Sequence, residues 1–391
     1  MKYRWKGFRR RLRIAWGIIP SPAQATSKRS GQVQSTVAVK FAERKLEQLW
    51  RSTPPLWLRG LASVYAVSWR LYESVYRLGL KQRVRMPVPV IGVGSLWVGG
   101  VGKTPITIAI VRLLRGAGRR VAALVHGYGG SRYRAVTLME PREAPDPALV
   151  GDEAAELRLA LPDTPIAVGK WRVRAAEAAL ARWTPEVMVL DDGFQHLPLA
   201  RTLDLVLLPA ESVLGNGYCV PAGPLREPPS GLQRADGVVL VSAYPLPQPP
   251  SPAQGREIKD VPIYTAVVAP VALRHLATGD QLPLEALQNR PLTLVCGIAR
   301  PERFIQTAQS LGYTIEHVHT HPDHYAYPTD TLRFLSGKTV LTTVKDAVKL
   351  RTRLPHDCDA YALLQEATLD DTLQQRLLSL FTGTLPVNRE S

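Results

Sequence analysis

One glycine-rich segment restricts the fold of this chain more than any other feature: Gly99-Gly100-Val101-Gly102-Lys103-Thr104. It follows a short apolar run at residues 88–94, which is typical of a strand buried on both faces of a parallel sheet. A predicted helix follows at residues 104–115. In that position glycines let backbone N–H groups surround phosphates, the lysine reaches the β- and γ-phosphates, and the threonine hydroxyl is offered to Mg²⁺. The segment therefore predicts a P-loop that binds ATP and Mg²⁺.

The segment departs from the eight-residue P-loop pattern at one position. That pattern has glycine five positions before Gly102, where this chain has Trp97. The Gly-Lys-Thr sequence and its flanking strand and helix still favour nucleotide binding over a glycine-rich turn without a ligand.

The alternation of short apolar runs with helical patterns predicts a P-loop NTPase-like, doubly wound parallel α/β sheet. A core is expected at residues 87–240, with strands at 120–125, 166–168, 187–190 and 203–208, and helices at 152–160 and 175–183. A proline-rich patch at residues 241–260 predicts a hinge or a surface loop. A second, smaller α/β lobe is expected at residues 261–391, with strands at 292–296, 314–317 and 340–343 and a helix at 301–311.

Composition sets broad limits on the partners of the chain. A formal net charge of +16 and a pI near 10 predict an anionic partner, which could be nucleic acid, phosphorylated metabolites or acidic lipid headgroups. Cys219, Cys296 and Cys358 are too far apart in sequence to indicate a disulfide framework or a zinc site. No uncharged apolar run reaches the ~18 residues that a membrane-spanning helix needs.

The N-terminal region divides into two parts. Residues 1–40 are strongly basic at first and imitate a signal peptide, but their apolar core is too short, so a flexible basic extension is predicted. Residues 41–86 predict two amphipathic helices, one on each side of Pro54-Pro55. The second combines arginines with Trp57, Trp69 and Tyr72, which suits a membrane interface. A helix packed on the protein core, with its arginines in water, is the alternative.

Acidic and histidine residues supply candidates for chemistry beside bound phosphates. Asp191 and Asp192 follow the buried run at residues 187–190, as expected of carboxylates that hold Mg²⁺. Asp152, Glu153 and His324 are candidates for orienting or deprotonating an acceptor hydroxyl. Taken alone, Asp152 is as typical of a helix N-cap and His324 of a surface loop. The alternating histidines at residues 317, 319 and 321 leave a metal site open as a further interpretation.

Ten motifs in a fixed order go beyond a general P-loop pattern. With the glycine-rich loop they include Gly127-Tyr128-Gly129-Gly130, Val150-Gly151-Asp152-Glu153, Asp191-Asp192-Gly193-Phe194-Gln195-His196, Pro221-Ala222-Gly223-Pro224-Leu225-Arg226-Glu227-Pro228, Gly297-Ile298-Ala299-Arg300-Pro301-Glu302-Arg303-Phe304 and Lys345-Asp346-Ala347-Val348-Lys349. Over residues 45–365 the chain thereby resembles the tetraacyldisaccharide 4′-kinase family of lipid A biosynthesis.

The resemblance implies a two-lobed α/β body with an N-terminal membrane-associated helix. It implies transfer of the γ-phosphoryl group of ATP to the 4′-hydroxyl of tetraacyldisaccharide 1-phosphate, giving lipid IVA, at the cytoplasmic face of the bacterial inner membrane. The implied partners are this lipid substrate and the anionic lipids of the inner membrane. Neither nucleic acid nor an obligate protein partner is expected.

The family pattern also implies roles for individual residues. Lys103 and Thr104, within the loop from Gly99 to Thr104, would bind the nucleotide phosphates and Mg²⁺, with Asp191 and Asp192 as carboxylates on the metal side. Asp152 would be the catalytic base, oriented by His324 from the other lobe. Arg172 matches a basic position that would steady a phosphate.

Two departures from the family pattern bear on nucleotide affinity and pH response. His126 stands where the family usually has an arginine, and Val344 stands where it usually has a glutamate. A membrane-associated switch ATPase of the MinD/ParA type is an alternative interpretation, but the position of its signature lysine is occupied by Val98. A nucleic-acid-binding P-loop protein is a third, and it is supported by net charge alone.

Overall fold

The described strands form one continuous sheet in the computed structural model, which describes residues 50, 52–243 and 261–381. Three predicted features lie wholly or largely outside the described residues. They are the basic extension at residues 1–40, most of the helix before Pro54, and residues 244–260 of the proline-rich patch. The strands are β1 (Val90–Ser95), β2 (Val121–Val125), β3 (Thr137–Met139), β4 (Ile166–Val168), β5 (Val187–Asp191), β6 (Leu203–Pro209), β7 (Gly237–Ser242), β8 (Ile263–His275), β9 (Gln281–Leu282), β10 (Pro291–Cys296), β11 (Thr314–Thr320), β12 (Thr339–Thr343) and β13 (Asp359–Leu369).

The strand order across the sheet is β11-β10-β12-β13-β8-β7-β6-β1-β5-β2-β4-β3, with β9 paired to β8. Neighbouring strands are parallel except in the pairs β13 with β8, β3 with β4 and β8 with β9. The predicted mixed α/β fold with a mostly parallel sheet is therefore confirmed.

The helices are α1 (Leu56–Arg77), α2 (Lys103–Gly116), α3 (Pro147–Val150), α4 (Asp152–Ala160), α5 (Arg172–Trp183), α6 (Pro301–Ser310), α7 (Val344–Leu350) and α8 (Asp371–Ser379). Short 3₁₀ segments lie at Pro229–Arg234, Leu284–Leu287 and Thr329–Leu335. The predicted strand at residues 166–168 and helix at residues 152–160 agree with β4 and α4 residue for residue. The sequence pattern does not single out β7, β8 or β13.

Two glycines allow the central strand β1 to lie where it does. All six residues of β1 are buried between β5 and β6. A Cβ atom on Gly94 would lie 2.4 Å from Phe194 Cβ, and one on Gly92 would lie 2.5 Å from Asp204 Oδ1. Because no side chain fits at these distances, glycine is required at both positions.

The register of β1 and β5 determines the place of the site. The two strands are parallel, and Val93 is paired with Asp191, the last residue of β5. The segments that follow the two strands therefore leave the sheet at the same edge. This is the edge at which open α/β sheets bind their ligands.

Helix α1 begins directly after Pro54-Pro55, as the prolines predict. Leu58 and Ala62 are buried against the body, whereas the outward side is apolar and exposed at Leu56, Trp57, Leu61, Val64, Val67 and Leu71. None of the helices in the described part of the chain combines the length and the apolar character needed to cross a bilayer. The association of this helix with a membrane stays a prediction.

Buried apolar residues form separate groups along the sheet. One cluster surrounds β1 and α2, and another lies around β10 and α6, with Leu292, Leu294 and Phe304 among its members. The sheet nevertheless continues from one cluster to the other, and both belong to the compact unit that begins at Pro55. The division into a core at residues 87–240 and a lobe at residues 261–391 stays a prediction.

Candidate active site

The loop between β1 and α2 has the backbone conformation that its glycines predict. Gly99 and Gly102 have φ angles of 100° and 82°, in the left-handed region that side chains disfavour. Lys103 is the first residue of α2, so the free N–H groups and the positive dipole end of the helix face this loop. The loop from Val98 to Pro105 lines a cleft of about 1750 Å³. A cleft of this size exceeds the ~300–1,000 Å³ of ordinary small-molecule sites.

Trp97 replaces the first glycine of the pattern without filling the phosphate-binding loop. Its side chain is 6% exposed, and its indole N–H donates a hydrogen bond of 2.8 Å to the carbonyl oxygen of Val213. The guanidinium of Arg300 lies 4.9 Å from the centre of the indole ring, within range of a cation–π contact. The tryptophan side chain therefore packs outside the phosphate-binding loop, and the departure from the P-loop pattern leaves that loop open.

Asp191 is buried at the end of β5 and lies beside other carboxylates. Its Oδ1 accepts a hydrogen bond of 2.8 Å from the hydroxyl of Thr107 in α2. Burial, with the charge of Glu153 in addition, raises the pKa of Asp191 to about 7. Burial raises the pKa of Glu156 to about 8, and the charges of Glu153 and Asp191 add to the rise. A cation bound near these groups would be stabilised by them.

The alternating histidines do not form a metal site in the described part of the chain. No group of three or more histidine, cysteine, aspartate or glutamate side chains among the described residues is arranged to hold a metal ion. The interpretation of His317, His319 and His321 as a metal cluster is therefore wrong for the described structure. His321 instead stacks on Tyr325, with ring centres 4.3 Å apart.

Asp192 is surrounded by cations. Its carboxylate accepts hydrogen bonds of 2.9 and 3.0 Å from Nη1 of Arg226, and the ammonium of Lys103 lies 3.5 Å from its Oδ1. Although burial by itself raises the pKa of Asp192, the charges of Lys103 and Arg226 hold it well below its usual range. The P-loop lysine is thus already oriented by a carboxylate.

Arg172 is the first residue of α5 and is 7% exposed. Its Nη2 lies 3.4 Å from the backbone carbonyl oxygen of Asp192, and its Nη1 lies 3.4 Å from that of Lys170. The Nε group is buried and has no hydrogen-bond partner among the described residues. A buried guanidinium with an unused donor can receive an anion.

Asp152 does not cap its helix, although it is the first residue of α4. The residue before the helix is Gly151, and no side chain caps this end. Oδ2 of Asp152 lies 3.1 Å from Nδ1 of His324 and 2.9 Å from the ammonium of Lys349. Burial alone would raise the pKa of Asp152, but His324 and Lys349 outweigh it and lower this pKa. The N-cap interpretation is therefore wrong, and the predicted Asp152–His324 pair is formed.

The first departure, His126, is a neutral side chain at neutral pH. Burial, with the nearby charge of Arg172 in addition, lowers the pKa of His126 to about 4. Its ring lies beside those of Tyr128 and Tyr133, with centres 6.2 and 5.2 Å away. The histidine therefore does not supply the positive charge of the arginine that it replaces. The second departure, Val344, is the first residue of α7 and lines the cleft.

One cleft brings the predicted residues together from opposite parts of the sequence. Lys103, Glu153, Asp191 and His324 all line it. Asp152 contacts His324 directly. Asp192 contacts Lys103 of the loop, and Arg172 lies 3.4 Å from the backbone carbonyl oxygen of Asp192.

Sequence reasoning assigned no role to two cations of the site, Lys349 and Arg226. Both lie in motifs that carry the family resemblance. The spacing of Lys345 and Lys349, four residues apart on a helix, offered a signal, because it places both on the same helix face. No comparable local signal marks Arg226, whose partner Asp192 is 34 residues away.

Comparisons with known proteins show the family of this chain. Residues 55–382 match the family model described as tetraacyldisaccharide-1-P 4′-kinase, which is more than half of the chain. The chain belongs to this family. The resemblance carried by the ten motifs is thereby confirmed, and so is the prediction of a kinase.

The matches to individual relatives cover nearly the whole length of those relatives. The tetraacyldisaccharide 4′-kinase of Alkalilimnicola ehrlichii is 38% identical over 338 residues, covering 85% of this chain and 96% of the relative. That of Shewanella halifaxensis is 36% identical over 341 residues, with the same two coverages. The crystal structure of LpxK from Aquifex aeolicus in complex with ATP is similar with a TM-score of 0.68 and 27% identity, covering 83% of this chain and 98% of that one.

Proposed function

We propose that this chain transfers the γ-phosphoryl group of ATP to the 4′-hydroxyl of tetraacyldisaccharide 1-phosphate, giving lipid IVA. The observation that carries the proposal is the contact of Asp152 with His324, beside a cleft that starts at the P-loop, in a member of this kinase family. An acid–histidine pair beside bound phosphates suits proton removal from an alcohol.

The nucleotide phosphates would bind at the loop from Gly99 to Thr104. Backbone N–H groups and the N-terminus of α2 favour negative charge there, and Lys103 adds a positive charge. The complex of the LpxK relative with ATP supports ATP as the nucleotide. Asp192 would keep Lys103 in place until the phosphates arrive.

Mg²⁺ fits the donors beside this loop. Thr104 offers a hydroxyl, and Asp191 is a buried carboxyl whose raised pKa a cation would lower again. Two protein donors are the number expected when Mg²⁺ takes its other ligands from phosphates and water. Asp192, still held by Arg226, would join them once Lys103 turns to the phosphates. The ion would neutralise charge on the β- and γ-phosphates when bound.

Asp152 would act as the base. The 4′-oxygen of the acceptor forms a bond to the γ-phosphorus, the bond from this phosphorus to the bridging oxygen of ADP breaks, and the hydroxyl proton passes to Asp152. The lowered pKa of Asp152 makes it a weak base. A weak base suffices because phosphoryl transfer proceeds through a loose transition state, in which little negative charge has to develop on the attacking oxygen. His324 would hold the carboxylate in position.

Arg172 would contact a phosphate through its unused Nε donor. Catalysis of this kind is mainly positioning and charge neutralisation, so one arginine, one lysine and one metal ion around a single base form a sufficient set.

The membrane part of the proposal concerns α1. Its outward side exposes apolar residues, with exposed fractions of 67% at Trp57 and 65% at Leu71. Such a surface, on a chain with a net charge of +16, suits anionic lipid headgroups and the acyl chains below them. We place the enzyme at the cytoplasmic face of the bacterial inner membrane, where ATP and a lipid acceptor meet.

The test is transfer of radiolabelled γ-phosphate from ATP to purified tetraacyldisaccharide 1-phosphate in detergent micelles. Labelled lipid is expected with the wild-type chain and not with Lys103→Ala. Asp152→Ala should lower kcat about 10²–10⁴-fold with ATP binding retained. Asp330→Ala, which removes an aspartate with an 88% exposed side chain, is the matched control and should be fully active. ATP hydrolysis without labelled lipid would favour the switch ATPase instead.

A further inference from the structure

The inner side of α1 carries three polar side chains in one stripe. Tyr65, Trp69 and Glu73 are spaced four residues apart, so they lie on the same face of the helix. The Tyr65 hydroxyl donates to the backbone carbonyl oxygen of Arg226 at 2.6 Å, and the Trp69 indole N–H donates to Glu227 Oε2 at 2.8 Å. Glu73 accepts from Arg234 Nη1 at 2.9 Å. The helix is therefore attached to the body by directional bonds as well as by apolar packing.

Glu227 is the centre of this attachment. Its side chain is fully buried, and its two oxygens accept three hydrogen bonds. Oε2 accepts from Trp69 and from Arg234 Nη2, both at 2.8 Å, and Oε1 accepts from Gln195 Nε2 at 2.7 Å. A buried carboxylate depends on such donors, since the loss of one leaves part of its charge without compensation.

Two routes connect this centre to the phosphate site. Gln195 also donates to the backbone carbonyl oxygen of Ser95, the last residue of β1 before the P-loop segment. Arg226, next to Glu227 in the chain, holds Asp192, which in turn holds Lys103. A displacement of α1 would thus change the position of Lys103 through this chain of hydrogen bonds and ion pairs.

We propose that Trp69 and Glu73 are positioning residues for phosphoryl transfer: through Glu227 they fix Arg226 and Asp192. The position of α1 on the body then sets the rate of the reaction. This inference rests on the proposed function, because it concerns the rate of that transfer.

The experiment compares two matched substitutions in the full chain, Trp69→Phe and Trp183→Phe. Trp183 also donates its indole N–H to a glutamate, Glu140 Oε2 at 2.9 Å, but it lies on α5 beside β3 and β4. Both variants lose one indole hydrogen bond to a carboxylate. The readouts are kcat and KM for tetraacyldisaccharide 1-phosphate in anionic vesicles, binding of the protein to the same vesicles, and the melting temperature.

Trp69→Phe is expected to lower kcat about tenfold, as the loss of a hydrogen bond to a charged group predicts. KM for the lipid and vesicle binding should stay within about twofold, and Trp183→Phe should keep wild-type kcat. Glu73→Gln, which keeps the size of the side chain, should lower kcat in the same direction. Equal kcat in Trp69→Phe and wild type would overturn the proposal, and so would a loss that appears only in KM or vesicle binding.

A double-mutant cycle tests the route itself. If Trp69 acts through Arg226, then Trp69→Phe should change kcat less than about twofold in an Arg226→Lys background. Independent, multiplicative effects would remove Arg226 from the route. These results are distinct from failure of the proposed function, which would show as absence of lipid labelling by the wild-type chain.

Discussion

The contact between Lys349 and Asp152 leads to a prediction about the pH dependence of the reaction. Lys349→Met replaces the ammonium, 2.9 Å from Asp152 Oδ2, with an uncharged group of similar length. Removal of a cation raises the pKa of a neighbouring carboxylate, so a larger fraction of Asp152 is protonated at a given acidic pH. Because only the ionised carboxylate accepts the hydroxyl proton, the acidic limb of the pH profile should move to higher pH.

The separation of the two charges gives the magnitude. At an effective dielectric constant of ~20, unit charges at this distance interact by roughly 6 kcal/mol, an upper value that corresponds to about 4 pKa units. His324 remains beside Asp152 in the variant and continues to lower its pKa. We therefore expect the midpoint of the acidic limb to move to higher pH by about 1–3 units.

The assay is the initial rate of lipid phosphorylation between pH 4 and 9, evaluated as kcat/KM for the lipid. Lys345→Met is the matched control, because Lys345 lies on the same helix and pairs with Asp323 at 2.7 Å. Its ammonium lies 3.5 Å from the far ring nitrogen of His324, Nε2, and does not contact Asp152. An acidic limb that is unmoved in Lys349→Met, or moved equally in Lys345→Met, would refute the reasoning.

Three further predictions concern other parts of the molecule. Gly94→Ala should destabilise the protein by about 1–3 kcal/mol or more, since the new Cβ would lie 2.4 Å from Phe194 Cβ; a melting temperature equal to wild type would contradict this packing. His126→Gln should leave kcat/KM unchanged in its pH dependence between pH 6 and 8, because the pKa of His126, about 4, keeps the ring neutral there; a shifted profile in that range would show that it titrates. Removal of residues 1–80 should abolish sedimentation with anionic liposomes, and sedimentation equal to the full chain would show that α1 is not the membrane contact.

The sequence predicts the fold best where local patterns suffice. β1, β5 and β6 are continuous apolar runs because both faces of a parallel strand are covered. The loop after β1 is recognisable from its glycines. β8 and β13 are not evident from the pattern, because their residues alternate irregularly between buried and partly exposed. Their pairing joins residues about a hundred positions apart, which no local pattern records.

The site is predictable to a similar extent. Lys103, Asp191 and Asp192 follow from a loop and a strand end, whereas the role of Asp152 came from the resemblance to the family. Lys349 lies 197 residues from Asp152, and only the fold brings the two together. A helix that starts with an aspartate looks the same in sequence whether its carboxylate caps the helix or faces a cleft.

The position of β13 has a consequence for the order in which the protein can be made. Within the sheet, β10, β11 and β12 join the remaining strands only through β13, which is the last strand in the described part of the chain. During synthesis the P-loop and its aspartates emerge first, and the segments that bear His324 and Lys349 have no strand to attach to until residues 359–369 follow. Because α2 also packs against β13 and α8, neither the helix behind the P-loop nor the base has all its packing partners until the C-terminal strand and helix have been made. Incomplete chains therefore do not carry a finished phosphotransfer site.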